Sequence, residues 1–259
     1  MRSEMLSKRL HTVAHMVTRG NLVCDVGCDH GYVSIYLVKQ GISPGVLAMD
    51  VRKGPLGAAR EHVADYGLED SIETRLSDGL HNYNIGEAQS LICAGMGGRL
   101  MRRILKEDID KTMSFQELIL QPQSEIEQFR RFLRENNCLV QEEEILKEDG
   151  KFYQVIRAIP AGDSVVRTGG GNPRRIRWTA GEQNFSEEEL CKLEDRYGAV
   201  NLNKKTPVFL SYLLREERIY GEILQNLRQN GLADEKRRSR YEQIEACLQD
   251  CRRVQDILR

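Results

Sequence analysis

The sequence contains no apolar run approaching the roughly eighteen residues needed to span a bilayer, and its opening residues, MRSEMLSKRL, lack the apolar stretch of a secretory signal. These absences predict no membrane partner and a cytoplasmic location. A dominant charge is missing as well. Charged residues make up 30% of the chain, yet the net charge is -1, so overall composition says nothing about an anionic or cationic partner. Cysteine is present, but in no ligand pattern. The seven thiols, at positions 24, 28, 93, 138, 191, 247 and 251, are odd in number and include no C-x-x-C pair. That argues against a disulfide framework and predicts no bound metal. His11 and His15 lie four apart with no third ligand nearby in sequence. No Ser/His/Asp or Cys/His combination points to a covalent nucleophile.

At 259 residues and 40% hydrophobic content, the chain can bury a sizeable core and hold one domain plus something smaller. It is organised around residues 22–33, LVCDVGCDHGYV. Leu22, Val23, Cys24 and Val26 read as a buried strand, Gly27 and Gly31 as the turn that ends it, and Tyr32 onward as a helix. Further strands are expected over 45–50, 71–76, 90–94, 117–120, 138–146 and 152–159, with helices over 6–17, 31–40, 54–66, 99–106 and 124–136. Ser124 and Glu127 have the spacing of a capping box, and residues 148–151 that of a hairpin turn. Strands alternating with helices and ending in a hairpin predict an α/β fold, a mainly parallel sheet with an antiparallel edge.

Residues 161–178 read as a linker, with Gly169, Gly170 and Gly171 in a row and a basic cluster at Arg167, Arg174, Arg175 and Arg177. Ser186 and Glu189 open a short helix. Beyond Pro207, apolar positions step by three and four on either side of Asn230 and Gly231, which predicts an antiparallel helical hairpin with its seam interrupted at Glu216 and Gln255. The expected domains are therefore 1–160 and 161–259. Residues 203–259 hold 12 basic and 9 acidic side chains, or +3, which leaves 26 and 30, or -4, on the remainder.

In a parallel sheet of this kind, ligands bind outside the carboxyl ends of the strands. Asp25, Asp50, Asp78 and Gly95 each stand at or just after the end of one of the first four strands. The D-x-G-x-D-x-G turn formed by Asp25, Gly27, Asp29 and Gly31 suits a pyrophosphate poorly, because two carboxylates would face it across a dry site. It suits a cation. S-adenosylmethionine offers a sulfonium and an ammonium to Asp25 or Asp29, and a carboxylate to glycine amides. Asp50 lies 23 residues past Gly27, where an acid can accept both ribose hydroxyl protons, and Asp78 with Gly79 could receive adenine. The fourth turn, Ala94, Gly95, Met96, Gly97 and Gly98, leaves room for a flat acceptor beside the cofactor methyl. Cofactor contacts are accordingly expected from Asp25, Gly27, Cys28, Asp29, Gly31, Asp50, Asp78, Gly79, Ala94, Gly95 and Gly97.

These residues resemble a known family. DVGCDHGY, SDGL at 77–80, AGMGG at 94–98, LILQP at 118–122, KEDGKFYQV at 147–155, LSKRL near the start and PVFLSYLL before the hairpin are similar, in order, to the bacterial tRNA adenine-N1 methyltransferases that act on position 22. Cys28 and Asp50 depart from it, standing where serine and glutamate are usual. The resemblance implies a Rossmann-like class I methyltransferase sheet, S-adenosyl-L-methionine as cofactor, tRNA as partner, and an α-helical, coiled-coil-like C-terminal domain that helps hold the tRNA. A monomer is expected. Adenine N1 carries a lone pair and needs alignment more than a base, and its Watson–Crick edge must leave the stack to react. Asp29, His30 and Met96 are the candidates for orienting it, with Tyr32 a weaker one. Arg9, Gly98 and Gln121 could meet substrate at the pocket, Arg9 alternatively the cofactor carboxylate, and Lys236, Arg237 and Arg238 could meet it on the hairpin. Two alternatives remain open at this stage: another methyl acceptor (ribosomal RNA, protein or a small molecule), and a non-catalytic interaction module that binds the cofactor only for stability.

Overall fold

The computed structural model of the chain describes residues 6–161, 175–179, 185–229 and 234–258. The chain divides into two compact units, Met1–Ile176 and Arg177–Arg259.

The first unit is built on seven strands, β1 (Val23–Val26), β2 (Val46–Asp50), β3 (Ile72–Leu76), β4 (Ser90–Met96), β5 (Glu117–Pro122), β6 (Cys138–Glu148) and β7 (Lys151–Pro160). Their order is β3-β2-β1-β4-β5-β7-β6. The pairings from β3 across to β5 are parallel, and β7 is antiparallel to both β5 and β6. The antiparallel edge follows from the two-residue turn Asp149–Gly150, where both residues have positive φ, 48° and 77°, the geometry that joins adjacent strands tightly.

The parallel strands are apolar throughout because helices cover both faces. Successive side chains divide between the two sides. In β4, Leu91 and Cys93 enter one core and Ile92 the other; in β5, Leu118 and Leu120 separate from Ile119 in the same way. Helices α1 (Lys8–His15), α2 (Tyr32–Lys39) and α3 (Lys53–Asp65) close the Ile92 side through Val13, Leu37 and Val63, among others. Helices α4 (Gly98–Glu107), α5 (Ile109–Ser114) and α6 (Ile126–Glu135) close the Leu91 side, α4 through Met101 and Leu105 and α6 through Phe129 and Leu133. β1 has β2 on one side and β4 on the other, so the strand order reverses there and opens a crevice at the carboxyl ends.

Two buried polar centres tie helical segments to the sheet, the first at the amino ends of β4 and β5. Glu117 accepts from the Thr18 N–H and hydroxyl, both at 2.8 Å, and from Ser90 at 2.6 Å, tying the chain that leaves α1 to β5. Arg130 on α6 is paired with Glu143 at 2.6 Å and also donates to Gln154, locking the hairpin to the helix.

The capping box expected at Ser124 does not form. α6 starts at Ile126, and its N-cap is Glu125 in a left-handed conformation with no side-chain cap. The Ser124 hydroxyl and carbonyl instead receive the Gly98 N–H, at 3.3 and 3.2 Å. A long-range partner has outcompeted a local one. Helix α5 was not anticipated, since a single turn and a half after Asp108 carries no periodicity.

The second unit contains α7 (Glu187–Tyr197), α8 (Ala199–Lys204), α9 (Pro207–Gln229) and α10 (Glu235–Leu258). The Ser186–Glu189 capping box is present. α9 and α10 pack through Leu224, Tyr241, Ile244 and Leu248. The two polar seam positions are satisfied internally. Glu216 accepts from Tyr220, whose oxygen also receives the buried Arg196 at 2.8 Å, and Gln255 donates to Glu217 at 3.1 Å. Arg177 is ion-paired with Glu187 and Glu194, at 2.6 and 2.9 Å, which takes it out of any free basic cluster. Arg167, Arg174, the three glycines at 169–171 and the turn at Asn230 and Gly231 lie outside the described residues. Among the described residues, no helix is long and apolar enough to cross a membrane and no group of His, Cys, Asp and Glu could hold a metal ion.

Candidate functional site

Four turns at the carboxyl ends of β1 to β4 surround one cavity of about 490 Å³. Asp25 is at its floor. The side chain is 4% exposed and accepts the Ser34 hydroxyl at 2.7 Å. Burial raises its pKa to about 6, the Ser34 bond works against that rise, and the neighbouring Asp50 charge adds to it.

The turn after β1 passes close beneath Met96. Gly27 has φ 76°, the left-handed backbone that favours glycine, and a Cβ there would stand 2.8 Å from the Met96 methyl, which would have to shift. The amides of the turn are already engaged. Gly27 and Cys28 donate to the Met49 carbonyl at 2.8 and 3.0 Å, and Gly31 donates to Cys28. The Gly27 and Gly31 amides, expected to be open to a cofactor carboxylate, thus already have backbone acceptors. The Cys28 thiol is pushed up by burial and by the carboxylates of Asp25, Asp50 and Asp29, which keeps it neutral. Asp29 adopts a left-handed φ of 52° and turns its carboxylate outward, 62% exposed, 3.6 Å from Arg52 and 3.8 Å from His30. His30 does not cap α2, whose N-cap is Gly31 without a side-chain bond.

Asp50 joins two of the turns. It is 4% exposed, with Oδ2 accepting the Asp29 N–H at 3.2 Å and Oδ1 the Arg52 N–H at 2.8 Å. Asp50→Ala is expected to weaken S-adenosyl-L-methionine binding about ten- to a hundredfold, through a lost charged acceptor and loosened turns. Titration calorimetry checks this, and equal affinity would remove Asp50 from the site. Asp78, after β3, is more exposed and paired with Arg103 at 3.1 Å, and a Cβ on Gly79 would stand 2.9 Å from Ile104.

In the fourth turn, Ala94, Gly95 and Met96 all line the cavity, and the β4–β5 register shifts between Ala94 and Met96. Gln121 lies behind the wall. Its Oε1 accepts both the Gly95 N–H at 3.1 Å and the Arg9 guanidinium at 2.8 Å. Arg9 itself reaches the cavity. Gly31, Gly97 and Gly98 are not on the wall; their Cβ directions meet Ala59, the Ser124 hydroxyl and the Ser124 carbonyl. Lys236, Arg237 and Arg238 are exposed at the start of α10 in the second unit, with Arg237 paired to Asp234 at 3.1 Å.

Sequence reasoning missed Arg52, Arg103 and Ile104, which also line the cavity. Arg52 follows the β2 acid by two residues. Arg103 lies one helical turn past Arg99, a spacing that would have placed it over the third turn.

A family model for a methyltransferase domain matches residues 6–156. The tRNA (adenine(22)-N(1))-methyltransferase of Bacillus subtilis is 39% identical over 158 residues, covering 61% of this chain and 66% of that one. The aligned part thus spans just under two thirds of that relative. The crystal structure of the B. subtilis m1A22 tRNA methyltransferase TrmK matches with a TM-score of 0.79 at 28% identity, over 97% of this chain and 99% of that chain. A Streptococcus pneumoniae chain solved in complex with S-adenosyl-L-methionine matches with a TM-score of 0.76 at 28% identity, over 97% and 100%.

Proposed function

The chain belongs to the methyltransferase-domain family, and from that premise we propose that it is a tRNA adenine-22 N1 methyltransferase of the bacterial kind, transferring a methyl group from S-adenosyl-L-methionine to N1 of adenine 22 in tRNA, in the cytoplasm. The observation that carries this reading is the convergence of four strand-end turns on one cavity with a buried, solvent-deprived carboxylate at its floor.

The cavity fits the cofactor in charge as well as shape. Asp25, forced into a dry site, gains most from an adjacent ammonium group. Arg9, held in place by Gln121, is suited to the cofactor carboxylate that the engaged glycine amides cannot take. Asp50 offers two carboxylate oxygens for ribose hydroxyls, and the Asp78–Gly79 turn borders the space left for adenine. When bound, the cofactor supplies an electrophilic sulfonium methyl.

The acceptor adenine lies against the fourth turn, between Met96 and the outward-facing pair Asp29 and His30. Those side chains orient the base. The reaction demands in-line placement of N1, whose lone pair is free at neutral pH, so alignment accounts for most of what the protein must contribute. Lys236 and Arg238, on the second unit, are placed to meet tRNA phosphate, and reversing their charge should weaken tRNA binding and flatten its salt dependence.

Incubation of the purified chain with the cofactor and unmodified tRNA, followed by nucleoside digestion, is expected to yield 1-methyladenosine. Methyl transfer only to another nucleoside, or to protein, would replace this reading with one of the alternative acceptors.

A further inference from the structure

Helix α4 carries four cations among its ten residues, Arg99, Arg102, Arg103 and Lys106, against one acid, Glu107. The four are not equivalent. Arg102 is paired with Glu125 at 2.8 Å, and Arg103 with Asp78 at 3.1 Å and Glu107 at 3.9 Å. Arg99 and Lys106 are exposed and form no ion pair among the described residues. They are seven positions apart, so they share a face of the helix roughly 10 Å apart along its axis. The opposite face, Met101, Ile104 and Leu105, is in the core, which holds the stripe outward.

The start of this stripe is fixed relative to the cavity. α4 leaves the fourth turn directly, and its first residue, Gly98, is bonded to Ser124 through both the carbonyl and the hydroxyl. Leu100 and Arg103, flanking the stripe, line the cavity itself. Two unpaired cations thus run away from the mouth where the acceptor base must enter, whereas the cavity-lining Arg52 and Arg103 are paired with acids. An unneutralised cation pair of fixed placement is what a polyanionic strand needs, and it is the wrong charge to attract the cofactor.

Resting on the methyltransferase reading above, we infer that Arg99 and Lys106 form a phosphate track on α4 that holds the tRNA backbone beside the displaced adenine. The contact is electrostatic, so it adds affinity and positions the strand without reading its sequence. Arg102 and Arg103 are excluded from it because their charges are already matched.

The test is the double variant Arg99→Gln/Lys106→Gln in the full chain, with Lys39→Glu as a charge-changing control at the far end of α2, where Lys39 sits over the Tyr66 ring. tRNA affinity is measured by fluorescence anisotropy across a salt titration, cofactor affinity by calorimetry, and folding by thermal melting. The double variant should bind tRNA about tenfold more weakly, with a salt slope reduced by about one and a half to two, while melting and cofactor affinity stay as in the wild type. The loss should appear in KM for tRNA, and Arg99→Lys should restore most of it, since a point charge suffices for phosphate. Wild-type affinity and slope in the double variant, with the wild type still methylating tRNA, would overturn the track alone. An equal loss in Lys39→Glu would overturn it too, by assigning the effect to the overall field. A wild type that neither binds nor methylates tRNA would overturn the functional reading on which the track depends.

Discussion

Asp25→Asn is expected to weaken S-adenosyl-L-methionine binding by about a hundredfold, the size of a lost charge-assisted contact in a dry site, while making the ligand-free protein more stable. The two effects have one cause. Asp25 is almost fully buried, has a single hydroxyl donor in Ser34, and is pushed to a pKa of about 6 from an ordinary 3.8. A carboxyl whose folded pKa is raised binds its proton more tightly folded than unfolded. Its cost is therefore absent below the unfolded pKa, grows as pH rises from near 4 to near 6, and is fully felt above that. Two pH units correspond to a ceiling of about 3 kcal/mol. An asparagine keeps the Ser34 bond but must place its own amide, so a gain of about 1–2 kcal/mol is the realistic outcome. Thermal melts at neutral pH should rise accordingly, and the difference between variant and wild type should vanish toward pH 4. Cofactor affinity in the wild type should strengthen as pH rises through 6 and level off above it, a trend the variant lacks. A variant that melts higher but binds the cofactor normally would show that Asp25 is only a strained buried acid.

Gly98→Ala should abolish most methyl transfer while sparing cofactor binding. A Cβ at this position would stand 2.3 Å from the Ser124 carbonyl oxygen and 3.4 Å from that of Glu125. Both are backbone atoms, so nothing can rotate away; either the start of α4 or the β5–α6 connection must move. Such overpacking costs about 1–3 kcal/mol of stability. The larger effect is on alignment, because Met96 and Gly95 precede Gly98 in the same turn, and a displacement of about 1 Å in a positioning element can cost about a hundredfold in rate. The turns carrying Asp25, Asp50 and Asp78 lie on other strands, so calorimetric affinity for the cofactor should change by only a few fold. Gly97→Ala is the milder companion. Its Cβ would meet the Ser124 hydroxyl at 3.1 Å, a side chain that can rotate. Wild-type kcat/KM for tRNA in Gly98→Ala would separate the α4 start from catalysis.

The features legible in the sequence were those set by local pattern. Continuous apolar runs such as Leu91, Ile92 and Cys93 announce strands buried on both faces, and an acid or glycine at the end of each marks the side on which the cavity forms. The Asp149–Gly150 hairpin turn and the Ser186–Glu189 capping box depend on neighbouring residues only. What the sequence hid depends on partners far along the chain. Ser124 has the spacing of a helix cap, but Gly98, 26 residues away, takes its hydroxyl. Gln121 reads as the end of a strand, and only the fold shows it gripping Arg9 and Gly95 together. The glycines of the first turn suggest free amides, yet the carbonyls of Met49, on the adjacent strand, and of Cys28 already accept those of Gly27 and Gly31. Arg52, just before α3, and Arg103, on α4, read as ordinary surface residues until Asp50 and Asp78 are folded against them.

The most direct test of the central claim is to map the methyl group. An unmodified tRNA transcript with adenine at position 22 is treated with the protein and S-adenosyl-L-methionine, then read by reverse transcription, which stalls where N1 methylation blocks the Watson–Crick edge. A stall at position 22, absent from a transcript carrying guanine there and absent without cofactor, is the predicted result. A methyl group placed elsewhere, or one that persists when adenine 22 is replaced, would contradict the account.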